Sequence, residues 1–134
     1  ELNRKNVLLC VDGSENSCRV VDHVGYVLSL QDQHTITLFH VNRGTGPDPE
    51  ELFDRAEAIL REHKIADERI SRETSWGMSV PGTILSKVEA GKYAVVAVGL
   101  HGLQQTLLKE YRLDGETTAK LIQKIEKASL WCCP

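Results

Sequence analysis

Three clusters in the chain carry residue types suited to holding a phosphorylated, hydroxyl-bearing ligand. Gly99-Leu100-His101-Gly102 ends an apolar run that begins at Tyr93, and Gly115-Glu116-Thr117-Thr118 follows with twelve residues between Gly102 and Gly115. Glycines lack a Cβ, so their backbone N–H groups can approach phosphate oxygens, and a helix starting near Gly115 would aim further N–H groups at the same anion. Asp12-Gly13-Ser14 closes an earlier apolar run. Its carboxylate is suited to accepting hydroxyl hydrogen bonds. Each cluster also has a purely structural explanation. Asp12-Gly13-Ser14 can be a turn that caps a helix, and Gly99 and Gly102 can serve only to let the chain leave a sheet at positive φ.

Other chemistries find less support. The histidines at 23, 34, 40, 63 and 101 have no metal-ligand spacing, and His101 is either a phosphate contact or an exposed loop residue. Cys10, Cys18, Cys132 and Cys133 form no CxxC pair, and buried reduced thiols are expected. Ser14 and Ser17 sit in no nucleophile elbow and no histidine can be assigned to them, so neither catalytic residues nor a bound metal are expected. A net charge of -3 gives no reason to expect nucleic acid or an anionic membrane as partner. No apolar run reaches the roughly 18 residues of a membrane span. The N-terminal residues lead into a strand without a signal-peptide pattern, and a cytoplasmic protein is expected.

The elements that must position these clusters alternate regularly. Asn6–Val11 reads as a buried strand, followed by a helix capped by Ser14 or Asn16 and running to about Leu30. His34–Val41 is a second strand rich in β-branched residues. Asp48 to about Lys64 is the clearest amphipathic helix, with Pro49 at its start and Leu52, Phe53, Ala56, Ile59 and Leu60 on one face. Arg69–Trp76 is polar and suits an outer strand. Ser79 caps a third helix carrying Ile84, Leu85 and Val88, and Gly91 stops it. The central strand of the glycine cluster, a helix over Thr117–Lys127 and a short strand over Ser129–Cys133 complete the chain. Strict β-α alternation argues for an α/β fold, one domain over residues 1–134, with a parallel sheet covered by helices on both faces. Ligands of such sheets bind beyond the strand C-termini, where the strand order reverses.

With VDGSENS after the first strand, ITLFHV as the second and the fourth strand running into GLHG, nearly the whole chain resembles a universal stress protein domain. The resemblance implies an open five-stranded parallel sheet of order 3-2-1-4-5, Rossmann-like and of the adenine nucleotide alpha hydrolase kind, and a homodimer. Nucleotide-binding members carry a glycine turn, nine intervening residues, then Gly-Ser or Gly-Thr. Carried onto this chain, the turn is Gly99 to Gly102, Asp12 is the carboxylate near the nucleoside and Val41 lines the adenine pocket. The closing glycine is Gly115, reached after twelve residues and followed by Glu116 where the family has a hydroxyl. Thr117 and Thr118 are displaced substitutes for that hydroxyl.

Glu116 is the informative departure. In the first turn of a helix an acid stabilises the N-terminus by roughly 0.3–1 kcal/mol. Facing a triphosphate at about 4 Å it would instead repel by roughly 1–4 kcal/mol, about one to three decades of affinity. The expected function is a homodimeric binding or regulatory module of the stress-response kind, with a degenerate adenine-nucleotide site that binds ATP weakly or not at all. Mg²⁺ is expected only alongside ATP. The rival reading is an ATP-dependent switch or slow ATPase in which Thr117 or Thr118 replaces the missing hydroxyl. Dimerisation is expected through the C-terminal strand at Leu130 and Trp131.

Overall fold

The computed structural model describes residues 6–31, 33–44, 46–91, 93–99 and 129–133. Its five parallel strands are β1 (Asn6–Cys10), β2 (Thr35–Asn42), β3 (Ile70–Trp76), β4 (Tyr93–Gly99) and β5 (Ser129–Cys133), and its helices are α1 (Glu15–Ser29), α2 (Pro49–Glu62) and α3 (Val80–Ala90). The strand order is β3-β2-β1-β4-β5, the order expected of the resemblance. The helix expected over Thr117–Lys127 lies outside the described residues.

Period-two alternation sorts the strand residues between two cores. On one face, Val7 and Leu9 of β1, Ile36 and Leu38 of β2 and Ala97 of β4 pack under α1 and α2 through Val21, Val24, Phe53 and Leu60. On the other, Leu8, Phe39, Val96 and Val98 pack under Ile84 and Val88 of α3. Covered on both faces, β1 and β4 have no use for polar side chains, so they read as continuous apolar runs. Each fully buried Leu, Val or Phe contributes about 1.5–3 kcal/mol. A register shift between Asn6 and Val7 makes β4 bulge at Ala94, so that Ala94 and Val95 both contact the α1/α2 core.

The outer strand β3 is held differently. Arg72 donates to Glu50 and Asp54 of α2, each at 2.8 Å, and also pairs with Glu57 while its guanidinium lies over the Phe53 ring. Spacings of four and three residues put the three carboxylates on one helix face. Arg69 donates to the carbonyls of Gln31 and His34 at 2.9 and 2.8 Å, tying the end of α1 to the start of β2. Gly25 leaves a slot for the His63 ring, where Nε2 lies 2.7 Å from Asp22 Oδ1 and joins α1 to α2.

Candidate nucleotide crevice

The strand order reverses between β1 and β4, whose chains leave the sheet toward opposite edges. At the C-terminal ends of these strands, Cys10 pairs with Phe39, Val41 with Ser75 and Leu9 with Ala97. Asp12 follows β1, Val41 lies near the end of β2 and Gly99 ends β4, so all three stand toward the C-terminal edge, or rim, of three neighbouring strands. Strands in such a sheet stand about 4.8 Å apart.

Asp12 begins the turn between β1 and α1 and is exposed. Its Oδ1 accepts the Ser14 N–H at 2.8 Å, closing an Asx turn, while its own N–H donates to Ser17 Oγ at 3.2 Å. Ser14 is the N-cap of α1 and its Oγ accepts the Ser17 N–H at 3.1 Å. Gly13 has φ +84°, a conformation costly for any residue with a Cβ. The turn therefore spends Oδ1 on holding itself, on a residue that is exposed. No new side chain is needed for that geometry; it follows from the D-G-S order itself.

Val41 is buried and faces the α3 core, so what it offers the rim is apolar surface and backbone. Gly99 is the last residue of β4. Gly102, Gly115, Thr117 and Thr118 lie outside the described residues. Two participants were missed at the sequence level. Ser17 is buried and accepts from Asp12, and His40 is buried with Nδ1 2.8 Å from the Val11 carbonyl. A serine three residues after a serine N-cap was a usable signal for the first, whereas a histidine inside an apolar strand gave no hint of its acceptor.

Below the rim, on the α3 face, lies a set of titratable groups. Burial pushes the Cys10 thiol up to about 12, and the Asp12 carboxylate adds to the rise. Such a thiol is not a nucleophile at neutral pH. Lys87 donates to Glu73 at 2.8 Å, and that hydrogen bond is the main reason its ammonium is held charged to higher pH than usual. Burial raises Tyr93 as well, opposed by Lys87. Among the described residues no three His, Cys, Asp or Glu side chains are grouped to hold a metal ion, and no helix is long and apolar enough to cross a membrane.

Three comparisons bear on this arrangement. The chain is similar in fold to a universal stress protein crystallised in complex with cAMP, at 19% identity and a TM-score of 0.71, over 97% of this chain and 96% of that one. It is also similar to the universal stress protein of Archaeoglobus fulgidus in complex with dAMP, at 15% identity and a TM-score of 0.64 over the full length of both chains. A member of the universal stress protein family from Burkholderia pseudomallei matches at 14% identity with a TM-score of 0.61, over 97% of this chain and 96% of that one. No curated protein matches the chain. The sequence model of the universal stress protein family matches residues 3–130, nearly the whole chain, and the protein belongs to that family.

Proposed function

We propose that this protein is a non-enzymatic regulatory module whose crevice takes an adenine nucleoside monophosphate, linear or cyclic, in preference to ATP. The observation that carries the reading is the Asp12 turn, an exposed carboxylate at the strand-order reversal with only Oδ1 engaged by Ser14. One remaining oxygen suits one ribose hydroxyl. cAMP keeps only the 2′-hydroxyl free and dAMP only the 3′, and these are the ligands of two similar proteins. Gly99 and Gly102 would receive the phosphate, and the base would lie against Val41. Gly115, Thr117 and Thr118 would close the far side. There a Glu116 carboxylate would repel a triphosphate more than a single phosphate, a repulsion that Mg²⁺ offsets only in part.

Calorimetric titration with AMP, cAMP and ATP-Mg²⁺ tests this. Monophosphates should bind at least tenfold more tightly than ATP, Asp12→Ala should abolish binding, and Glu116→Thr should raise ATP affinity by about one to three decades. ATP binding as tightly as AMP in the unaltered protein would overturn the preference.

The same module is proposed to dimerise through β5, which forms one edge of the sheet. Edge strands present unpaired backbone groups and favour strand-to-strand contact. Trp131→Lys should convert a dimer to a monomer by light scattering, and an unchanged mass would put the contact elsewhere.

A further inference from the structure

We infer that His40 is a positioning residue for the Asp12 turn: its imidazole ends the β1–β2 ladder and sets where β1 leaves the sheet. The ladder's last backbone bond at this end is Val11 N–H to the Phe39 carbonyl, at 2.9 Å. A side chain then takes the Val11 carbonyl, with His40 Nδ1 at 2.8 Å in a buried setting. A carbonyl only accepts, so Nδ1 carries the proton and donates. By strand alternation His40 shares the α1/α2 face with Ile36 and Leu38, where an apolar residue would satisfy packing alone. A histidine there adds one thing packing does not need, a donor for the carbonyl immediately before Asp12.

The consequence falls on the turn. Three bonds downstream depend on where Val11 ends: Asp12 N–H to Ser17 Oγ, Ser14 N–H to Asp12 Oδ1 and Ser17 N–H to Ser14 Oγ. With the Val11 carbonyl pinned from β2 and its N–H pinned to Phe39, both polar groups of that peptide neighbourhood are fixed. Asp12 then starts from a set position rather than from a fraying strand end. His40 also immediately precedes Val41, so one side chain couples the two strands that bear the carboxylate and the apolar wall of the crevice. Its link to affinity rests on the nucleotide reading above; its link to the turn does not.

The test compares His40→Leu, which keeps apolar bulk and loses the donor, with His40→Asn, whose Nδ2 stands where Nδ1 stood and can still donate. Amide hydrogen exchange at Val11, Asp12, Ser14 and Ser17 is read against Ala56 and Leu60 of α2 as controls, and AMP affinity is read by calorimetry. His40→Leu should speed exchange at the four turn amides about tenfold, the effect of one lost hydrogen bond, and leave the α2 amides unchanged. It should weaken AMP binding by a similar factor, and His40→Asn should restore both. Wild-type exchange at the turn in His40→Leu overturns the inference, as does His40→Asn exchanging like His40→Leu. If His40→Leu loosens α2 as well, the decision passes to His40→Asn, whose turn amides must match the wild type. Should the wild type fail to bind AMP, the nucleotide reading falls and the exchange result still judges His40.

Discussion

The turn after β1 and the turn after β3 use one local device. Each reaches a serine N-cap, Ser14 or Ser79, whose Oγ accepts the N–H three residues on, at 3.1 Å from Ser17 and 3.2 Å from Gly82. Each also contains a glycine. Their surroundings differ. The first leaves a central strand with β2 and β4 on either side and is braced by His40, Ser17 and the Asp12 carboxylate. The second leaves an outer strand and presents Trp76 and Met78 to solvent, 74% and 88% exposed. Capping chemistry is therefore no guide to a site. Position in the strand order is the better guide, because ligands of such sheets bind where that order reverses.

The glycines separate the two turns most strongly. A Cβ on Gly77 would sit 1.9 Å from Thr83 Oγ1 and 3.0 Å from Thr83 Cβ, a β-branched side chain with little freedom to move. On Gly13 it would meet Leu52 Cδ2 at 2.8 Å, the mobile end of a longer side chain, but the φ of +84° would remain. Gly77→Ala should cost about 2–3 kcal/mol by crowding, and Gly13→Ala about 1–2 kcal/mol by backbone strain. Urea denaturation of double mutants decides between the causes. Thr83→Ala should recover at least about 1 kcal/mol of the Gly77 loss, whereas Leu52→Ala should recover none of the Gly13 loss. Equal recovery at both would erase the distinction between crowding and strain.

The α3 side of the sheet should also respond to alkali. Cys10, Lys87 and Tyr93 all have their proton-bound forms favoured in the folded state. Their contribution is whole below the ordinary values of 9.0, 10.5 and 10.0 and is lost as pH rises through the raised ones. Above pH 9 the Cys10 group should lower stability progressively as pH rises toward its raised value. Thermal melts should show a falling limb above pH 9 that Cys10→Ala makes shallower. A flat profile to pH 11 would show that the thiol is not held neutral by burial.

Most of this architecture was legible before any coordinates because its causes are local. The apolar runs of β1 and β4 mark strands buried on both faces, and the polar β3 marks an outer one. Ser14, Asp48 and Ser79 announce helix starts by side-chain chemistry that acts within three residues. The strand order could not come from periodicity; it came from resemblance and holds in the fold. What escaped was long-range pairing. Arg72 meets α2 carboxylates 15 to 22 positions away, and His40 meets a carbonyl 29 positions away. Nothing in the neighbourhood of either residue specifies its partner. Of the expected site, Asp12, Val41 and Gly99 stand toward the C-terminal ends of neighbouring strands, and the phosphate-side residues Gly102, Gly115, Thr117 and Thr118 fall outside the described residues.

The smallest expected effects are the most diagnostic, because they fall on matched caps. Ser14→Ala and Ser79→Ala each remove one side-chain acceptor from a helix N-terminus, and each should cost about 1 kcal/mol in urea denaturation. Stability alone cannot tell the turns apart. Binding can. Ser14 also donates the N–H that holds Asp12 Oδ1 at 2.8 Å, and its Oγ fixes Ser17, which in turn accepts from Asp12. Loss of that Oγ frees one side of the brace while leaving the carboxylate in place. Ser14→Ala should therefore weaken AMP binding by about three- to tenfold, within the range of one neutral hydrogen bond. Ser79→Ala, on the turn that leaves the outer strand, should leave affinity unchanged. Equal losses of affinity would mean that both turns touch the ligand and that the site extends from the strand-order reversal to the outer strand.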